Sequence, residues 1–230
     1  MLFPLCVALI VIGADPGDKP TTAKEALQPF HGLIAKWKGT GFPDGTREER
    51  AKGYWVEKID WSWLFKGDDA WLKLSIADGK HFEGGELRHL PKTDDYELTL
   101  TALDKTVVKF VGKLTAGKQK EVILVLERTT ETETQQMSFT LLHGNRYLYQ
   151  LATKPKGAKN FARVWQVGAT KEGEPFAEVN KGPECIVTGG RGTMSVSYKG
   201  KTYYVCCSGC KEEFNAEPEK YIRLAAEKKK

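Results

Sequence analysis

Tyr96-Glu97-Leu98-Thr99-Leu100 places an apolar residue at every second position, and Val122-Ile123-Leu124-Val125-Leu126 keeps the same beat at Val122, Leu124 and Leu126. Period two marks a strand with one face inside and the other in water. Segments of this texture extend outward in both directions, over 54–65, 70–76, 81–90, 96–103, 107–114, 121–128, 136–142, 146–153 and 161–167. Tight turns separate them, among them Asp78-Gly79, Ala116-Gly117-Lys118 and His143-Gly144-Asn145. About nine short strands at regular spacing predict a mainly β fold, an antiparallel sheet closing into a barrel or sandwich. Ahead of them, Thr22-Ala23-Lys24-Glu25 has the form of a capping box and predicts a short helical stretch toward Phe30 and Ile34.

The chain has 230 residues, 40% hydrophobic and 28% charged, enough for a packed core and one large or two modest domains. A net charge of +5 is mild, and Lys228 to Lys230 supply part of it, so nucleic acid is not an expected partner. Residues 2–12 form an apolar run too short to span a bilayer but suited to a signal peptide, with Gly13-Ala14 as a cleavage point before Asp15. The expectation is an exported protein, periplasmic or secreted, with no membrane segment after cleavage.

Function is concentrated near the C-terminus. Residues 183–214, PECIVTGGRGTMSVSYKGKTYYVCCSGCKEEF, hold Cys185, Cys206, Cys207 and Cys210, every cysteine except Cys6. Met194, Val196 and Tyr198 alternate with serines, Lys199-Gly200 makes a turn, and residues 201–205 return, which predicts a hairpin. The returning strand runs into Cys206 and Cys207, and a helix starts near Lys211. A strand end and the first turn of the next helix can aim Cys206 and Cys210 at one spot, and Cys185 can reach it across a glycine turn. Converging thiolates suit a soft or borderline cation such as zinc or Cu(I). The helix N-terminus and Lys211 favour the deprotonated ligand. Two disulfides, in any of three pairings, are the competing use of four cysteines in an exported chain. Cys207-Ser208-Gly209-Cys210 has redox C-x-x-C spacing but lacks the flanking βαβ pattern of thioredoxin-like proteins.

Cys185, then twenty residues, Cys206, then three residues and Cys210 resembles the TRASH domain and its relative the YHS domain. Tyr198-Lys199-Gly200-Lys201-Thr202-Tyr203-Tyr204, Ser208-Gly209-Cys210-Lys211, Phe214 and Pro218-Glu219-Lys220-Tyr221 carry the resemblance further. It implies a heavy-metal-binding module used in sensing, trafficking or sequestration, with Cys185, Cys206 and Cys210 as metal ligands. Cys207 stands where that family has a small polar residue, so the fourth ligand is Cys207, water or a partner protein. A looser resemblance joins Ala35-Lys36-Trp37-Lys38-Gly39-Thr40-Gly41 and His81-Phe82-Glu83-Gly84-Gly85-Glu86-Leu87-Arg88 to calycin-type, nitrobindin-like barrels. It implies a small-molecule carrier of haem or lipid as the alternative function. No histidine follows His143, so an axial haem ligand has no candidate.

The expected organisation is a signal peptide at 1–17, an antiparallel β-barrel at 18–170, a linker at 171–182 and a ββα cysteine module at 183–230. A module this small has little core, so a bound ion or docking onto the barrel should stabilise it. Trp55, Trp61, Trp63 and Trp71 are read as barrel filling, and His81, His89 and His143 as unpaired with respect to metal. Asp68-Asp69 and Asp94-Asp95 are read as solvated turn residues. No nucleophile elbow, phosphate loop or zincin motif is present, and the reading is a non-enzymatic binding protein. The expected cofactor is a zinc or copper ion, and the expected partner a metal-handling protein.

Overall fold

Ten strands rather than nine form the barrel in the computed structural model, which describes residues 22–117, 121–173 and 182–228. The signal-peptide expectation and most of the linker expectation lie outside these residues. The strands are β1 (Ala35–Pro43), β2 (Trp55–Lys66), β3 (Asp69–Ala77), β4 (Phe82–Leu90), β5 (Asp95–Ala102), β6 (Val107–Ala116), β7 (Val122–Thr129), β8 (Glu133–His143), β9 (Arg146–Pro155) and β10 (Ala162–Lys171). Each pairs antiparallel with the next, and β1 closes the barrel between β10 and β2. Closure removes the free edges that a ten-stranded open sheet would present.

The added strand, β1, hides from a hydrophobicity pattern because two of its inward positions are glycines. Trp37, Gly39 and Gly41 face inward on the buried beat. Gly41 sits opposite Trp55, and a Cβ there would come within 2.2 Å of the Trp55 indole. Between β1 and β2, a short helix over Arg47–Gly53 (α2) is capped reciprocally by Thr46 and Glu49 and buries nothing.

One end of the barrel is plugged. The Thr22–Glu25 capping box forms and opens α1 (Ala23–Ala26), followed by a 3-10 helix over Gln28–Leu33. Leu27, Phe30 and Leu33 are buried in the barrel end. Tyr96 donates its hydroxyl to the Ala26 carbonyl at 2.8 Å, and Trp37 donates Nε1 to the Leu33 carbonyl at 2.7 Å. Trp61 and Trp63 share the inner face, as alternation requires, and both are fully buried. Inside the barrel, a cavity bounded by Ile59, Trp61, Leu74, Phe139 and Tyr149 measures about 10 Å³, near the size needed for one water.

A carboxyl lies inside this apolar lining. Glu57 is 2% exposed. Trp55 Nε1 donates to it at 2.8 Å, and the Tyr149 hydroxyl donates a short hydrogen bond to its other oxygen. Burial raises its pKa, against the opposing effect of the two donors.

After the barrel come the hairpin β11 (Met194–Tyr198) and β12 (Lys201–Val205), then α3 (Ser208–Ala216) and α4 (Pro218–Glu227). The hairpin register pairs Val196 with Tyr203 and Tyr198 with Lys201, as the sequence predicts. Module and barrel share one continuous cluster of buried residues. Among the described residues, no helix is long and apolar enough to cross a membrane.

A carboxyl raised by folding supports stability only while it stays protonated. Its contribution is present below the unfolded value, about 4.3, and is lost as pH rises through the folded value. Urea unfolding of wild type and Glu57→Gln between pH 4 and pH 8 should show the difference moving against wild type as pH rises. A pH-independent difference would refute this account of Glu57.

Candidate metal centre

The thiol site is assembled where one barrel strand outruns its neighbour. β1 begins at Ala35, opposite Trp61, so the strand pairing on that side of β2 stops there. Trp63 lies beyond it, with its main-chain N–H facing no strand partner on that side. The Cys207 thiol takes the place of a strand: Trp63 N–H donates to Cys207 Sγ at 3.4 Å. Cys207 is the N-cap residue of α3 and has an extended backbone (φ −155°, ψ 174°). α3 therefore starts against β2. Gly209, in its first turn, packs so closely that a Cβ would fall 1.7 Å from the Trp63 carbonyl oxygen.

Cys206 follows directly on β12, and Cys210 is the third residue of α3. Their sulfurs are 3.4 Å apart. Cys185 arrives from a tight loop closed on itself: Cys185 N–H donates to the Gly190 carbonyl at 2.6 Å, and Gly189 N–H to the Cys185 carbonyl at 2.8 Å. The loop is tied to the hairpin by Ile186 N–H donating to the Tyr204 carbonyl at 2.9 Å. The sulfurs of Cys185, Cys206 and Cys210 all lie within 4.8 Å of one another. They are 1%, 8% and 0% exposed, respectively. Sulfurs about 2.3 Å from a tetrahedral zinc ion stand about 3.8 Å apart, so this spacing fits an ion of that size.

The structure thus brings together the three thiols singled out in the sequence and sets the fourth aside. Cys207 Sγ lies 4.0 Å from Cys206 Sγ, but it is outside the mutual cluster and engaged by Trp63. Thr188, buried, brings its hydroxyl to 3.6 Å from Cys206 Sγ. All four thiols are free. Hydrogen bonding from Cys206 is the main influence lowering the pKa of both Cys185 and Cys207, rather than the expected Lys211. The same bond to Cys185 raises Cys206, and burial raises Cys210. A cation binds thiolates, so its uptake here should be accompanied by loss of thiol protons.

Other sequence candidates lie apart from this centre. His81 stacks on Trp165, with centroids 4.8 Å apart, at the far end of the barrel. Buried His89 hydrogen-bonds Asp94 at 2.9 Å, Asp95 pairs with Lys113 at 3.4 Å and Asp69 with Arg88 at 2.9 Å, so these turn aspartates have side-chain partners rather than being merely solvated. The sequence reading missed the barrel's share of the site, namely Trp63 and the residues Lys24, Gln28 and His31 of the plug. Gln28 Nε2 donates to the Thr188 carbonyl at 2.8 Å, His31 Nε2 lies 2.8 Å from the same oxygen, and Lys24 Nζ donates to the Val187 carbonyl at 3.3 Å.

Residues 190–225 match the family model of the YHS domain. The match takes in Cys206, Cys207 and Cys210 and begins after Cys185. It is consistent with metal binding, as is the thiol cluster. Among solved structures, the chain is similar to the S-type phycobiliprotein lyase from Guillardia theta, at 9% identity and a TM-score of 0.32, over 67% of this chain and 96% of that one. No curated protein matches the chain in sequence.

Because the atom facing Gly209 is a main-chain oxygen, no side-chain rotation can relieve an added methyl. Gly209→Ala should lower stability by about 1–3 kcal/mol in urea unfolding, although alanine alone would favour the helix. A neutral or stabilising result would mean that α3 does not seat on β2 as described.

Proposed function

We propose that the protein is an exported metal-binding protein that holds one soft or borderline ion, zinc or copper, on the thiolates of Cys185, Cys206 and Cys210. The observation that carries this reading is the convergence of three buried sulfurs from three separate points of the chain. Thiolate donors favour Cu(I) and zinc over hard cations such as magnesium or calcium. The YHS match over the residues bearing two of these three sulfurs supports the same chemistry. The apolar run at 2–12 supports export, and the domain division read from the sequence is retained: barrel to 170, cysteine module from 183.

The residues divide the work as follows. Cys206 and Cys210 form the rigid half of the site, one at a strand end and one in a helix turn. Cys185 closes it from the loop. Cys207 anchors the helix to the barrel and stays out of the coordination sphere. The role is capture and hand-over or sequestration, with a metal-handling protein as partner. A haem or lipid carrier would have to enlarge the interior cavity bounded by Ile59, Trp61 and Tyr149, which is about 10 Å³ against the several hundred of a ligand pocket.

Protein purified from its native compartment should contain about one zinc or copper ion per chain by elemental analysis, with four reactive thiols after chelation and denaturation (Cys6 being removed with the signal peptide). Cys185→Ser, Cys206→Ser and Cys210→Ser should each weaken ion binding by at least a hundredfold, and Cys207→Ser by only a few-fold. Stoichiometric metal in the Cys210→Ser protein, or disulfides in place of free thiols, would overturn the reading.

A further inference from the structure

The plug that closes the barrel has two faces. Leu27, Phe30 and Leu33 point into the barrel. Lys24, Gln28 and His31 follow one another at intervals of four and three, so they line the opposite side of the segment. All three reach the loop that carries Cys185, and they reach its main chain rather than its side chains. Thr188 is the pivot. Its carbonyl oxygen is held by Gln28 and His31, while its hydroxyl touches Cys206 Sγ. Gly190 leaves room for the His31 ring, as a Cβ there would come within 2.8 Å of Nδ1. His31 Nε2 also meets Gln28 Oε1 at short range, so each side chain fixes the other while both face the same carbonyl.

We infer that Lys24, Gln28 and His31 are positioning residues of the thiol centre, acting through the Val187 and Thr188 carbonyls, so that ion occupancy and seating of the barrel plug are thermodynamically linked. This rests on the metal-binding reading above. The loop 185–190 is the part of the site furthest from regular structure, and without these donors Cys185 is held only by its own turn and the hairpin. Holding it beforehand spares the ion the entropy of ordering the loop. The linkage is reciprocal: whatever tightens the plug must raise ion affinity by the factor with which the ion tightens the plug. Because the loop's supports belong to the barrel, removal of the ion should loosen the plug as well as the cysteine module.

The test uses the full-length protein with Co(II) as a spectroscopic stand-in for zinc, and Cu(I) in competition with a chromophoric chelator. Wild type should show a thiolate-to-Co(II) charge-transfer band. Gln28→Ala/His31→Ala should bind about tenfold more weakly with a shifted or weakened band, while its far-ultraviolet circular dichroism, dominated by the barrel strands, stays unchanged. His31→Gln, which keeps an N–H donor, should recover most of the affinity. If wild type takes up neither ion, the metal-binding reading and this inference fall together. If wild type binds and the double variant binds equally well, only this inference falls. A second measurement needs no variant: hydrogen exchange of wild type should slow on Co(II) addition at 24–33 as well as at 185–211, and protection confined to 185–211 would overturn the linkage.

Discussion

The main chain of Trp63 is where the structure turns from a barrel into a candidate metal protein. A closed barrel satisfies its strand edges internally, but β2 continues past the point where β1 begins, leaving an N–H and a carbonyl facing outward. A buried main-chain donor without a partner is costly, and here its partner is a sulfur. Cys207 accepts from the N–H, and the absent side chain of Gly209 lets α3 rest on the carbonyl. That docking fixes the start of α3, and with it the direction of Cys210 relative to Cys206. The geometry of the thiols is thus set by a mismatch in length between two strands.

Burial then shapes the chemistry. Four thiols packed together cannot all ionise, so protons and charge are divided among them by hydrogen bonding and desolvation. Hydrogen bonding from Cys206 lowers the pKa of Cys185 and Cys207, whereas the bond to Cys185 raises Cys206 and burial raises Cys210. Cys185 and Cys207 are thus shifted in the same direction but differ in role. One faces the cluster, and the other is occupied by a peptide N–H.

Much of this was legible in the sequence where side chains repeat with a period. Strands such as 96–102 and 122–129 announce themselves by alternation, and the hairpin 194–205 by alternation plus a two-residue turn. β1 did not, because Gly39 and Gly41 occupy inward positions where a hydrophobic residue would have kept the beat; only the Trp55 ring across the strand explains them. α2 escaped for the opposite reason: Arg-Glu-Glu-Arg-Ala-Lys-Gly has no apolar face to read, although Thr46 and Glu49 formed a cap that could have been noticed. The spacing of Cys185, Cys206 and Cys210 indicated convergence correctly. The detachment of Cys207 could not be read, since it depends on a peptide group 144 positions away. The same holds for Lys24, Gln28 and His31: their spacing shows a polar face, but nothing local says what that face meets.

The boundary of the YHS match has a consequence for anyone treating the C-terminus as a portable unit. Residues 190–225 contain the hairpin, α3, most of α4 and two of the three clustered sulfurs, yet the remaining one enters from the preceding loop. Grafted onto another scaffold, that segment alone would deliver a two-coordinate thiol pair, open on one side and stripped of its lid. A transplant faithful to the original would have to begin upstream of Cys185 and bring a recipient surface able to grip two loop carbonyls, so the natural seam of this protein does not coincide with the edge of its recognisable motif.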